Sequence, residues 1–238
     1  MNKYFMIVCA VLAIAGFWQR NDLTTPTDFH SGLSSPPRQA RVDAQPLYTQ
    51  YEDVKYVVEP SHAYELYGLV VSYRYHNGNS PIHRLSNDHL NMMDLCVVWS
   101  ETAFSPALRF IQFWSGQFTC NWQWSSQDLA NVVHPDQISN NHLLSIDPDM
   151  RNAVKKVHIG DQIRLQGFLA GYSNEFGNTR GTSITRKDRG NGACETVWVQ
   201  EFEILQPANN PWRKLMWGAL LGLALSLVIY FRAPLKVR

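Results

Sequence analysis

The stretch Gly160–Tyr172 reads GDQIRLQGFLAGY, and the reading of the fold starts there. Its apolar residues Ile163, Leu165, Phe168 and Leu169 are set around Gly167. Successive side chains of a strand point to opposite faces, so partial alternation of this kind predicts a strand with one buried face. A glycine inside such a pattern predicts a bulge or a tight barrel bend, since a missing Cβ lets the chain bend sharply. Upstream, Asp147-Pro148 followed by Asp149–Val157 predicts a helix. It has a capping Asp, Pro at the first helical position, acid early and Lys155-Lys156 late. That helix runs directly into the strand.

Working outward, other segments carry strand signals. Ala63–Tyr75 (AYELYGLVVSYRY) is aromatic and β-branched, and Val54–Val58 reads as a strand before it. Asp94–Trp99 (DLCVVW) is an apolar run of buried-strand length, and Phe118–Trp124 (FTCNWQW) alternates aromatic with polar residues. Cys194–Leu205 (CETVWVQEFEIL) alternates at Val197, Val199, Phe202 and Ile204, with a phase slip near Gln200-Glu201. Ser126–Val133 reads as a short helix. The expected fold is mainly β with one or two short helices, arranged as a small barrel and flanked by N- and C-terminal transmembrane helices.

GDQIRLQGFL resembles the G-D-x-V-x-L-x-G-x-L strand pattern of bacterial OB-fold proteins, a likeness of roughly ten to fifteen residues. The resemblance implies a five-stranded barrel of a type that binds oligonucleotides, oligosaccharides or proteins. It implies no particular function, because function resides in the site and not in the fold. The chain as a whole is similar to uncharacterised bacterial membrane-anchored proteins, from which no activity carries over.

The ends are apolar. Tyr4–Trp18 is a 15-residue run after Lys3. It reads either as an uncleaved anchor or as a signal peptide with Ala13-Ile14-Ala15 as its cleavage site. Cys9 within it reads as a small lipid-facing hydrophobe. Leu215–Phe231 carries no charge over 17 residues and is bracketed by Arg213-Lys214 and Arg232. At 1.5 Å per residue it covers about 26 Å, close to a thin hydrocarbon core. Basic residues at Lys3 and at Arg232, Lys236 and Arg238 place both termini in the cytoplasm and the middle outside it, in a two-pass inner-membrane topology. Gly218, Gly222 and Ser226 recur every four residues, a spacing that allows a homodimer through close helix contact. The expected layout is an anchor at 4–18, a Pro- and Ser-rich flexible linker at 21–46, the β domain at 47–206 and the second span at 213–232.

Charge narrows the partners. Residues 45–208 hold twelve Lys and Arg against seventeen Asp and Glu, a net of −5. Such a domain lacks the basic face that phosphate backbones need, so nucleic acid is not an expected partner. Sequence motifs exclude more. G-x-S-x-G, P-loop, Rossmann and C-x-x-C patterns are missing, and no two His have helical metal-site spacing, so neither a cofactor nor a metal is expected.

Four groups of residues remain as candidates. Asn140-Asn141-His142 offers donors and acceptors in what reads as a loop, to a ligand or to its own backbone. Arg186, Asp188, Arg189 and Glu195 surround an Asn191-Gly192 turn that suits an anion site or internal salt bridges. Trp122 and Trp124 share a strand face, fit for stacking on sugars, for a protein partner or for packing. Asn87-Asp88-His89 with Asp94 brings acid and imidazole close in sequence. Among Cys96, Cys120 and Cys194, Cys96 reads as a buried thiol and Cys120–Cys194 as the disulfide, with three free thiols as the alternative. The leading expectation is a non-catalytic interaction module of a cell-envelope complex, its partners the membrane and other envelope proteins. The alternatives are an envelope hydrolase acting on glycan or peptide through His142, Asp94, Arg186 and Glu195, and an oligosaccharide-binding barrel.

Overall fold

The computed structural model describes residues 3–24, 26, 28–76, 86–185 and 194–232. The first elements in chain order are helix α1 (Lys3–Trp18) and strands β1 (Arg38–Arg41), β2 (Leu47–Tyr51), β3 (Val54–Tyr75) and β4 (Asn91–Val98). Helix α2 (Ser100–Phe104), strands β5 (Gln112–Ser115), β6 (Cys120–Gln123) and β7 (Ile138–Leu144), and helix α3 (Pro148–Val154) follow. Strands β8 (Gln162–Asn174), β9 (Thr179–Arg180) and β10 (Glu195–Gln206) and helix α4 (Pro211–Arg232) complete the chain. It divides into two units, Met1–Thr24 with Asn209–Arg238, and Thr25–Ala208.

The second unit is mainly β, with one large mixed sheet. Strand β3 pairs antiparallel with β4, and β4 with β7. Strand β7 then runs parallel to β10. Strand β10 pairs antiparallel with β8, and β8 returns to β3. The pairings thus close a circuit of five strands. Inside it lie Tyr64, Leu66, Val70, Leu95, Val97, Leu143, Ile163, Leu165, Leu169, Val197 and Val199. Helix α3, between β7 and β8, adds Val154 and Met150 to this core. Its start is as the sequence predicts, with the Asp147 carboxylate accepting from the Asp149 N–H at 2.8 Å and Pro148 at the first turn.

Two features bend the circuit shut. Strand β3 is one 22-residue strand with a register shift between Pro60 and His62, so it can face β8 along most of its length and β4 at its end. Proline has no N–H for a ladder, which suits a shift there. Gly167 faces Val199 on β10 and Tyr64 on β3, and a Cβ on it would overlap the Trp198 carbonyl oxygen. The glycine serves close backbone approach, while the bulge lies across from it, between Val199 and Glu201, at the phase slip read in the sequence.

Strands β1 and β2 pair with β3, and a 3-10 turn at Ser31–Ser34 buries Leu33 completely. The second half of the stretch read as a linker is therefore ordered onto the sheet. Strands β5 and β6 form a separate hairpin within an insertion between β4 and β7. The disulfide joins Cys96 of β4 to Cys120 of β6, with Cα atoms 5.7 Å apart. This corrects the expected Cys120–Cys194 pair: the hairpin folds back over β4, and Cys194 stays a free, half-buried thiol.

In the first unit, α1 and α4 pack together. Cys9, Ala13 and Gly16 of α1 are buried, as are Met216, Ala219 and Ser226 of α4. A Cβ on Gly16 would lie 2.8 Å from the Trp212 carbonyl oxygen, so the glycine is what lets the helices touch. Gly222 faces Cys9, which is therefore buried against α4 instead of facing lipid, while Gly218 faces open space. Asn210 caps α4, accepting from the Trp212 and Arg213 N–H groups, and donates to the Arg20 and Asp22 carbonyls. Among the described residues, only α4, at 22 residues, is long and apolar enough to cross a membrane. Helix α1 is apolar but has 16 residues, about 24 Å, so the expectation of two spans is met by length at the C-terminal end alone.

Candidate functional site

Strand register brings the site together. On β4 and β7, Asp94 is the cross-strand partner of His142, and Cys96 of Asn140. On β7 and β10, Asn141 is the partner of Glu195, which puts Cys194 beside Asn140. Side chains alternate along each strand. Asp94, Cys96, Asn140, His142 and Cys194 therefore share the outer face of the circuit, and Asn141 and Glu195 turn inward. The inner pair is satisfied structurally: Glu195 accepts from the Ser139 hydroxyl, and Asn141 accepts from Tyr64 at 3.2 Å and donates to the Leu95 carbonyl.

On the outer face, His142 Nδ1 lies 2.5 Å from Asp94 Oδ1, and His76 Nε2 lies 2.9 Å from Asp94 Oδ2. Cys194 and His142 are neighbours on that face, and the imidazole acts on the thiol electrostatically. Asn140 Nδ2 is 3.6 Å from Cys194 Sγ and donates at 3.1 Å to the Phe118 carbonyl, toward which Cys194 also points, at 3.6 Å. A thiol, an imidazole and a carboxylate thus share one face, with the imidazole held by the carboxylate.

Electrostatics agree with the geometry. Burial works to raise the Asp94 carboxyl, but hydrogen bonds from His142 and His76 outweigh it and hold the group well below the usual carboxylate range. Burial works to lower His142, and its bond to Asp94 wins, lifting it to about 9. Burial works to raise the Cys194 thiol, and the His142 hydrogen bond and charge, with Asn140, bring it below the ordinary value. A thiol lowered beside an imidazolium is the reactive form of cysteine.

The insertion covers this face. Phe118, in the β5–β6 turn, has its ring edge-on to His142 at 5.9 Å and near His76 at 5.8 Å. Its φ of +59° is a left-handed conformation that a bulky side chain rarely adopts. Strain of this kind collects at functional sites, and here it lets one residue present its ring to the imidazoles and its carbonyl to Asn140 and Cys194. Strand β9 adds Arg180, whose guanidinium sits 3.9 Å above the Phe118 ring and 3.4 Å from His142 Nε2.

Of the residues singled out in the sequence, Asn140, His142 and Asp94 meet here. The Asn140–His142 segment is buried strand and not the loop that its asparagines suggested. Asp88 accepts from Tyr172 at 2.7 Å. Trp122 is half-buried in β6, and Trp124 is exposed just beyond it. Arg186, Asp188 and Arg189 lie outside the described residues. A hollow over β1, β3 and β8 is lined by Arg38, Glu65 and Arg164, but Arg164 already pairs with Glu65 and Glu201, both at 2.9 Å. Among the described residues no three His, Cys, Asp or Glu side chains group to hold a metal ion. Sequence reasoning did not place Cys194 at this site, nor His76, Phe118 and Arg180. They are far apart in the chain, and only the strand register links them. No protein-family model matches the chain, and no curated protein is similar to it.

Proposed function

We propose that the domain is an envelope enzyme that works through a cysteine nucleophile. One observation carries the reading: Cys194, in contact with Asn140, shares one covered face with His142, which is paired with Asp94. The reaction class is acyl transfer. The Cys194 thiolate attacks a carbonyl carbon, forming a C–S bond while the carbonyl oxygen takes the negative charge. Asn140, with an N–H at the sulfur, is the side chain placed to donate to that oxygen. The His142 imidazolium gives its proton to the leaving amine or alcohol, and water releases the thioester. Asp94 holds the ring oriented and charged, with His76 behind it.

The scaffold reading follows the same line. Three antiparallel strands in succession (β3, β4, β7), a helix before the fourth, and a fifth strand parallel to the third are the marks of an OB-type barrel. Such barrels bind ligands on the face of their second and third strands. Here those strands supply Asp94 and His142. For location, we propose a membrane protein with its termini in the cytoplasm and this domain outside. The Cys96–Cys120 disulfide suits an oxidising compartment, and Arg232 ends α4 on a basic note. Green fluorescent protein fused after Arg238 should glow, as it does when it remains in the cytoplasm. A dark, full-length fusion argues for the opposite orientation.

The decisive test is acylation. Full-length protein in detergent, mixed with p-nitrophenyl acetate, should release a burst of p-nitrophenol of one equivalent per chain, absent in Cys194→Ser. No burst, and no acetyl group on Cys194 by peptide mass spectrometry, would reject the enzyme.

A second reading keeps the domain as a partner-binding module. Phe110, Trp114 and Trp124 of the insertion are exposed by 56%, 43% and 43%, a surface suited to another envelope protein. Crosslinking in cells that gives only monomer would remove it.

A further inference from the structure

Arg180 is placed in an unusual way for an arginine. It lies on the two-residue strand β9, opposite Tyr172 of β8. Its guanidinium carbon sits 3.9 Å from the centre of the Phe118 ring, and its charge acts on the nearby Tyr172 phenol. Tyr172 itself is pinned at 2.7 Å to the buried Asp88 carboxylate. Burial first, and Asp88 second, push this phenol well above its ordinary value, so it stays a neutral donor. Ring below and hydroxyl beside thus fix the fork without neutralising it. Among the described residues, no carboxylate forms an ion pair with Arg180.

The direction of the fork is the second point. Arg180 Nη1 lies 3.4 Å from His142 Nε2, the ring nitrogen on the side away from Asp94. When His142 is protonated, both nitrogens carry hydrogens and both groups carry positive charge, 3.4 Å apart. Two cations that close repel each other unless an anion lies against both. The thiolate supplies one negative charge on one side of the imidazolium. Arg180 is half-buried and is left without its own. The Asn140 Oδ1 atom is also buried with no hydrogen-bond partner, beside Cys194. A ligand with an anionic end for Arg180 and an N–H for Asn140 would complete both groups.

We propose that Arg180 forms a carboxylate-binding subsite next to Cys194, so that the substrates of this site carry a carboxylate close to the reacting carbonyl. This rests on the thiol-nucleophile reading above and adds a substrate class to it. Arg180 binds; it takes no part in making or breaking bonds. Its planar fork suits the two oxygens of a carboxylate, and the Phe118 ring under it raises the strength of the contact by excluding water.

The test uses two alkylating reagents of one size and different charge, iodoacetate and iodoacetamide, on full-length protein in detergent. In each, the Cys194 sulfur displaces iodide and a C–S bond forms. Rates are read at Cys194 by peptide mass spectrometry. A free thiolate repels iodoacetate, making it the slower reagent. At Cys194 the proposal predicts that iodoacetate is the faster one. Arg180→Gln should lower the iodoacetate rate about tenfold or more while changing the iodoacetamide rate little. Arg180→Lys should fall between. A measurement on the unaltered protein guards against misfolding: sodium acetate should slow iodoacetamide, and acetamide at the same concentration should not. If Cys194 reacts fast with both reagents, without preference and without protection by acetate, the subsite is wrong and the nucleophile stands. If Cys194 reacts with both as slowly as a buried ordinary thiol, the nucleophile reading fails, and the subsite with it.

Discussion

His142 Nδ1 and Asp94 Oδ1 meet at 2.5 Å as cross-strand partners in the middle of a sheet, both almost fully buried. An ion pair enclosed this way costs desolvation energy and adds little to net stability, whereas removing one partner strands the other. Its presence in two strands that also supply Leu95, Val97 and Leu143 to the core is therefore a sign of chemistry more than of packing.

The pair sets a pH dependence. His142, lifted from 6.5 to about 9, contributes stability that is fully present below pH 6.5 and is lost as pH rises toward 9. Asp94, held below 3.8, contributes stability that is present above that value and is lost as pH falls below it. Thermal unfolding should therefore show a plateau between about pH 4 and 6.5 and a decline on either side. Asp94→Asn should flatten both declines and cost about 3–5 kcal/mol on the plateau. Equal slopes in the two proteins would show that the pair is not coupled.

Thiol reactivity should follow the same residues. Labelling of Cys194 by iodoacetamide against pH should have its midpoint below the value of about 8.5 for a free cysteine. His142→Gln should move it upward. Acyl-transfer activity should fall about 10²–10⁴-fold in His142→Gln, with the Cys194 peptide still present and unmodified. A midpoint that does not move when His142 is replaced would separate the imidazole from the thiol.

Disulfide connectivity is directly measurable. Peptide mapping without reduction should recover Cys96 joined to Cys120, with Cys194 free to alkylate. Cys96→Ala with Cys120→Ala should cost about 3 kcal/mol in urea denaturation, from the entropy of closing a loop 24 residues apart. Recovery of a Cys120–Cys194 peptide instead would overturn the arrangement of the site.

Closure of the strand circuit has its own check. Gly167→Ala puts a Cβ against the Trp198 carbonyl oxygen, where backbone and not a flexible side chain must give way. The cost should be about 1–3 kcal/mol by denaturation. Gly181→Ala, with open space around it, serves as the control. An unchanged midpoint in Gly167→Ala would mean that β8 and β10 are further apart than described.

Much of the scaffold was legible because it rests on local physics. Apolar and alternating runs located β3, β4, β6, β8 and β10, Asp147-Pro148 marked the start of α3, and the slip at Gln200-Glu201 became a register shift. The site was not legible, because it depends on pairing between distant strands. Asp94 and His142 are 48 residues apart in the chain, and nothing local aligns them. Asparagine is a poor strand former, so Ser139-Asn140-Asn141-His142 looked like a turn. Its polar residues are tolerated in β7 because each face has waiting partners: Tyr64 and Glu195 within the circuit, Phe118, Asp94 and Cys194 outside it. The cysteines misled for a similar reason. Cys96 reads as core from its apolar neighbours, yet period-two alternation puts it on the outer face, under the hairpin.

The bond from Cys96 to Cys120 ends two residues from Phe118, the residue that lies over the imidazoles and accepts from Cys194. The other described attachments of the hairpin tip are non-covalent: Ser115 to Ser72, the Phe118 carbonyl to Asn140 and Cys194, and the Phe118 ring to Arg180, His142 and His76. Reduction of the disulfide leaves the Phe118 turn without its covalent tie to β4, so the shelter over His142 and Cys194 depends on the oxidation state of two other cysteines.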